Sequence, residues 1–104
     1  MKNKQHEYIV RAFLESKVPS VVKTKAPELV MLDAVLGGYC TQLIKGKTSI
    51  KLLSDSIISS DEKKLFSNLI SEREGNEKKE LVMYYRMALI VEEVLLQYKQ
   101  SFDK

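Results

Sequence analysis

The sequence predicts an all-α fold, a small bundle of about five helices with a long C-terminal helix at its centre. Apolar residues in the last third of the chain recur at alternating steps of three and four, which is the spacing of an α-helix. The 104 residues include only four glycines and two prolines, too few for a sheet with several tight turns. The length predicts one domain, covering residues 1–104.

The long C-terminal helix is expected to run from Asn76, as its N-cap, to Phe102. Its main apolar row is Leu81, Tyr84, Ala88, Val91, Leu95, Tyr98 and Phe102. A second row is Met83, Met87, Ile90 and Val94, and a third is Tyr85, Leu89 and Leu96. At about 100° per residue the three rows cover an arc of roughly 260°. An arc this wide indicates a helix that is central to a bundle or shared with a partner chain.

Two helices are expected in the first half of the chain. The first is capped by Asn3 and ends near Lys17, and its expected buried face is Tyr8, Ile9, Ala12 and Phe13. The second begins at Pro27, where a missing N–H costs nothing, and ends at Gly46. Glycines 37 and 38 indicate either a bend or break in this helix or the close approach of another backbone. Because the apolar spacing continues in register through them, we favour a continuous helix with close approach. Residues 20–26 are expected to form a loop or a single helical turn.

Two more short helices are expected before the long one. The first covers residues 49–58, with an inward face of Ile50, Leu53, Ile57 and Ile58. The next begins at a capping box formed by Ser59 and Glu62 and ends at Gly75 as its C′ residue. Its expected inward face is Leu65, Phe66, Leu69 and Ile70.

The composition is that of a globular protein, with 44% hydrophobic and 30% charged residues. The single cysteine, Cys40, cannot form an intrachain disulfide, and no Cys and His cluster has metal-ligand spacing. The sequence shows neither a secretory signal nor an apolar run long enough to span a membrane. We therefore expect a cytoplasmic protein that has no membrane association and binds no cofactor or metal.

The sequence predicts no catalytic site. His6, the only histidine, lies in the first turn of the first helix, where it is expected to be exposed to solvent. Nucleophilic catalysis needs an oriented base beside the nucleophile, but Cys40 and His6 lie on different predicted helices. Residues 46–48 are similar to the end of a phosphate-binding loop, but the earlier glycine and the preceding strand are missing. We therefore expect a protein that is not an enzyme.

Glu92 interrupts the apolar arc of the C-terminal helix. A buried carboxylate must be paired or protonated. We expect it either near a rim or paired with a lysine, an arginine or a tyrosine hydroxyl from a neighbouring helix. The alternative, a functional acid, lacks a second acidic or basic member in the sequence.

Protein–protein interaction is the function that these patterns favour. A bundle of four or five helices, three of them short, would leave part of the wide arc uncovered. Tyr85, Leu89 and Leu96 would then form an exposed apolar patch that marks an interface. A two-fold homodimer is the most frequent arrangement. The other arrangement is a different protein partner, for which the chain would be an adaptor or regulator.

The alternative function is DNA or RNA binding by the basic half of the chain. Residues 1–51 hold nine Lys or Arg against four Asp or Glu, a net +5, whereas residues 52–104 hold eight against ten, a net −2. Lys45, Lys47 and Lys51 form the candidate basic patch, which would neutralise phosphates. Arg11 is the only arginine of this half, although base recognition most often uses arginine. The charge asymmetry is equally explained by attraction between the two halves. No residue pattern is specific enough to identify a family.

Overall fold

A computed structural model describes residues 1–100, and 70% of the structure is helical. The five helices of this part are α1 (Lys4–Glu15), α2 (Ser20–Lys25), α3 (Pro27–Ile44), α4 (Ser60–Ser71) and α5 (Gly75–Leu96). Over the same hundred residues there is no β-strand, and no helix has the length and apolar character needed to cross a membrane. The predicted all-α class with about five helices is confirmed.

Helix α5 is the element on which the others are assembled. Helices α1, α3 and α4 pack on α5, α1 and α3 also pack on each other, and α2 packs on α3. Helix α1 runs antiparallel to α5, because Phe13 lies beside Tyr84 whereas His6, at the opposite end of α1, contacts Tyr98. The molecule measures 47 × 26 × 17 Å, and its radius of gyration of 14.2 Å exceeds the value of about 13 Å expected for this length. The cover of the central helix is incomplete, because Met83 and Ile90 of α5 are 65% and 48% exposed.

Several helix ends form as the local sequence predicts. The Asn3 side chain accepts a hydrogen bond from the backbone N–H of His6 at 3.0 Å. Ser59 and Glu62 form the capping box at the start of α4. Gly46 follows the C-cap of α3 with a φ of 109°, which a side chain would disfavour. These ends depend on contacts within one turn, which explains why the sequence predicts them.

The start of α5 differs from the prediction. Glu74, not Asn76, is its N-cap, and Gly75 begins the helix with a φ of 63°. Gly75 is also not the C′ residue of α4, because that helix already ends at Ser71. The end differs as well, because α5 ends at Leu96 whereas the predicted helix continues to Phe102, which lies outside the described residues.

The prediction of a helix over residues 49–58 is wrong. Ile50 donates a backbone hydrogen bond to the carbonyl of Tyr98, and its own carbonyl accepts one from Gln100, both at 2.7 Å. Ile50 and Ile58 are buried as predicted, but Leu53 is 97% exposed. The segment is rich in serine, whose hydroxyl competes with helical hydrogen bonds. Its backbone is therefore held by the C-terminal end of the chain rather than by its own turns.

The predicted buried face of α1 is only partly correct. Val10 and Phe13 are buried, but Tyr8 is 76% exposed, because α3 and α5 cover a neighbouring face of the helix. Helix α3 is continuous through its two glycines, as predicted. The close backbone approach predicted there is not found. A Cβ on Gly37 would meet only the Leu14 side chain, at an ordinary 3.9 Å, and one on glycine 38 would meet nothing within 4 Å.

Candidate functional site

An open apolar groove lies between α1 and α5. It encloses about 310 Å³ and is lined by Tyr8, Ile9, Ala12, Met83, Arg86, Met87 and Ile90. We refer to these seven residues as the α1–α5 groove. The exposed fraction is 76% for Tyr8, 65% for Met83 and 48% for Ile90. Apolar side chains grouped on a surface in this way are typical of interaction sites.

The groove follows from the helical period of its two walls. Met83, Met87 and Ile90 stand at i, i+4 and i+7 on α5 and therefore share one face of the helix. Tyr8 and Ala12 stand at i and i+4 on α1, which places them on one side of that helix. The antiparallel contact of α1 with α5 brings these two apolar faces together without closing the space between them.

The three residues predicted as an interface, Tyr85, Leu89 and Leu96, are only half-buried. All three pack against the hydrophobic core, and the ring of Phe66 stacks on Tyr85 with centroids 4.4 Å apart. Their role in an interface stays a prediction. Sequence reasoning missed the groove, although the second apolar row of α5 already contained Met83, Met87 and Ile90. The sequence did not indicate which apolar row of α5 would be covered by α1.

Two opposite charges lie along the exposed edge of α5 beside the groove. Arg86 lines the groove, and Glu93 follows two turns later, also exposed. Within residues 1–100 the ion pairs involve other side chains, so neither Arg86 nor Glu93 is paired there. The edge therefore exposes one positive and one negative charge to solvent, two helical turns apart.

The predicted basic patch is exposed but divided. Lys45, Lys47 and Lys51 are all on the surface, and none forms an ion pair in the described part of the chain. Lys47 lines a hollow together with Lys2, whereas Lys51 lines a different hollow beside Leu53. Lys45 lines neither. The structure therefore does not bring the three lysines into one concave site.

Glu92 is 5% exposed and binds the backbone of residues 49–58, which we call the non-helical segment. One of its carboxylate oxygens, Oε2, accepts hydrogen bonds from the N–H groups of Ile57 and Ile58, both at 2.8 Å. The predicted partner, a side chain on a neighbouring helix, is therefore wrong. Burial, together with the negative charge of Glu92, raises the pKa of Tyr85. Glu92 has a structural role, because it satisfies two donors that lack helical carbonyl partners.

The buried nucleophile is held in an unreactive form. Cys40 is fully buried, and burial, with a smaller contribution from the charge of Asp33, raises the pKa of its thiol to about 12. The reactive thiolate is therefore scarce at neutral pH.

The hydroxyl of Tyr84 donates a hydrogen bond to Asp33. Burial raises the pKa of Tyr84, and this hydrogen bond makes a smaller contribution in the same direction.

His6 is half-buried, contrary to the expectation that it is exposed to solvent. Its Nδ1 lies 2.9 Å from the hydroxyl oxygen of Tyr98, and the two rings meet edge to face with centroids 5.5 Å apart. This pair attaches the start of α1 to the end of the described chain. Among residues 1–100, no three His, Cys, Asp or Glu side chains are grouped so as to hold a metal ion.

Comparisons of the chain with protein-family models, with curated proteins and with solved structures found no match. The function is therefore inferred from the surface of the chain itself.

Proposed function

We propose that the protein acts by binding a protein partner through the α1–α5 groove, as a non-enzymatic adaptor or regulator. The observation that supports this is the exposure of Tyr8, Met83 and Ile90 around one groove. Removing a side chain of this size from water contributes about 1.5–3 kcal/mol. A partner that covers all three therefore gains a substantial apolar contribution to binding.

The residue types in the groove also suit an interface. Tyrosine, methionine and arginine are enriched in the centres of protein interfaces. Met83 and Met87 adapt their flexible side chains to the shape of a partner. Tyr8 combines an apolar ring with a hydroxyl that can form a hydrogen bond. Arg86 supplies a planar group of donors that pairs with carboxylates.

Site-specific photo-crosslinking in the cells that produce the protein tests this function. A photoreactive phenylalanine analogue is introduced at Tyr8 or at Met83. The matched control carries the same analogue at Lys63, an exposed position on α4. We expect discrete protein adducts from positions 8 and 83 and none of the same mass from position 63. Absence of adducts from both groove positions would reject the proposal.

The alternative function, DNA or RNA binding, depends on Lys45, Lys47 and Lys51. Their exposure supports it, but Lys47 and Lys51 line separate hollows, and Arg11 is the only arginine of the basic half. We therefore expect no mobility shift with duplex DNA or single-stranded RNA at low salt. A shift that is abolished by Lys45→Glu combined with Lys47→Glu would favour the alternative.

A further inference from the structure

We infer that the partner of the α1–α5 groove is a second copy of this chain. In the inferred dimer, the α5 helices pack antiparallel about a two-fold axis near Ile90. The inference rests on the proposed function and adds to it the occupant of the groove and its orientation. It is carried by the positions of the charged and apolar residues along the exposed edge of α5.

The charge pattern of this edge is complementary to itself. Arg86 and Glu93 are seven residues apart, which is two helical turns and about 10.5 Å at 1.5 Å per residue. Both are exposed and, in the part of the chain that the structure describes, unpaired. Consider a two-fold axis that is perpendicular to α5 and passes beside it, level with the midpoint between these two residues. This axis places Arg86 opposite Glu93 of the partner subunit. The same rotation places Glu93 opposite Arg86 of the partner subunit, so one dimer contains two such pairs.

Other arrangements bring like charges together. Two parallel helices in register would place each Arg86 opposite its own copy and each Glu93 likewise. A two-fold axis moved to residue 86 or to residue 93 would do the same for one of the two charges. Like charges that face each other across an interface disfavour binding. The edge therefore selects the antiparallel register centred between residues 89 and 90.

The apolar residues fit the same register. Ile90 lies within one residue of the axis, so the Ile90 side chains of the two subunits meet at the centre of the interface. A two-fold axis of this kind brings the same flank of both helices together, as an isologous interface requires. The groove flank of each copy, with Tyr8 and Met83, therefore meets the groove flank of the other. The exposed apolar surface of both copies becomes one shared apolar strip.

Charge reversal with sedimentation velocity at several protein concentrations tests this dimer. We expect the unmodified protein to sediment as a dimer at the higher concentrations. Arg86→Glu or Glu93→Arg alone replaces two attractive pairs by two repulsive ones and raises the dimer Kd by about tenfold or more. The double variant, which exchanges the two charges, restores the Kd to within about threefold of the unmodified value.

Lys79→Glu is the matched control, because it changes the charge by the same amount as Arg86→Glu on the same exposed edge, outside the predicted pairs. Its Kd is expected to stay within about threefold of the unmodified value. Circular dichroism checks that every variant stays helical.

Three results of the sedimentation experiment overturn the inference. They are a monomer at all concentrations, a dimer that neither reversal weakens, and a double variant that does not recover. A monomer whose groove positions still crosslink to a different protein overturns the second copy as the occupant but leaves the proposed function standing. Loss of all groove crosslinks overturns both. Crosslinking of position 8 or 83 to a second copy, together with recovery of the double variant, supports the inference.

Discussion

The two sides of α5 differ in how deeply their apolar side chains are buried. The closed side contacts α3, α4, the non-helical segment and Phe13 of α1, and it buries Tyr84, Ala88 and Glu92. The open side contains Met83 and Ile90, which are 65% and 48% exposed. Both sides carry large apolar residues, so composition does not separate them. The two sides differ in how much of their surface the other elements of the chain bury.

The closed side also pairs its polar groups within the fold, whereas the charges of the open side face solvent. Tyr84 donates to Asp33, and Glu92 accepts from two backbone N–H groups. On the open side, Arg86 and Glu93 have no ion-pair partner within residues 1–100. Substitutions on the closed side should therefore lower the free energy of unfolding, and those on the open side should change association instead.

The largest effect is expected where the closed side receives the non-helical segment. Ile58 is 1% exposed, so Ile58→Ala should lower the free energy of unfolding by about 3 kcal/mol, through lost burial and the cavity that remains. Leu53→Ala is the control in the same segment, because Leu53 is 97% exposed, and it should change this energy by less than about 0.5 kcal/mol. Urea unfolding measures both. Equal effects would mean that the segment does not pack as described.

The next effect is expected at the buried carboxylate. Glu92→Gln keeps the shape but weakens two charge-assisted hydrogen bonds and adds an amide that needs its own acceptor. We expect a loss of about 2 kcal/mol in urea unfolding. Glu80→Gln makes the same chemical change at an exposed position of α5 and should cost less than about 0.5 kcal/mol. A Glu92→Gln variant as stable as its control would show that the two N–H groups do not depend on this charge.

A smaller effect is expected from the buried tyrosine. Tyr84→Phe removes the hydrogen bond to Asp33 and should cost about 1 kcal/mol near neutral pH. The half-buried Tyr39, whose hydroxyl forms no hydrogen bond within the described residues, provides the control Tyr39→Phe.

The same tyrosine predicts a pH dependence of stability. Burial and Asp33 raise the pKa of Tyr84 above its ordinary value of 10.0, so the folded protein keeps this proton when the unfolded chain loses it. This contribution to stability is complete below pH 10 and declines as the pH rises above it. Unfolding measured between pH 9 and 11 should therefore show a steeper loss for the unmodified protein than for Tyr84→Phe. Identical slopes would contradict the raised pKa.

The smallest effect on folding is expected on the open side. Met83→Ser removes an apolar side chain that is mostly in water already, so the monomer should lose less than about 0.5 kcal/mol. Urea unfolding at low protein concentration measures this without a contribution from association. Sedimentation of the same variant at high concentration should show weaker dimerisation. A large loss of monomer stability would place Met83 on the closed side and remove the contrast between the two.

Much of the fold could be predicted because the signals are local. The three-and-four spacing of α3 and α5, the Asn3 cap and the capping box at Ser59 each depend on residues within one or two turns. The same reasoning failed over residues 49–58, where the isoleucines fit a helical period. There the backbone hydrogen bonds go to Tyr98, Gln100 and Glu92, which are far away in the sequence. No local pattern indicates such partners.

The candidate site was harder to predict. Glu92 stood out in the sequence as a charge inside an apolar arc, but its partners are backbone groups and leave no trace in side-chain patterns. The wide apolar arc of α5 indicated that some of its surface would lack cover. The predicted interface was the row that contains Tyr85, whereas the groove is lined by the row that contains Met83. Tyr85 stacks on Phe66 of α4, and α1 leaves Met83 exposed.

The amino-acid sequence by itself determined that this chain forms helices, where α1, α3 and α4 begin, and that α5 carries more apolar surface than a surface helix needs. Helical hydrogen bonds and caps join residues a few positions apart, and short-range patterns therefore record them. Only the tertiary structure decided which apolar row is covered, what Glu92 binds and how residues 49–58 are held. Burial depends on where other helices end in space, and these positions are set by contacts between residues that are distant in the sequence.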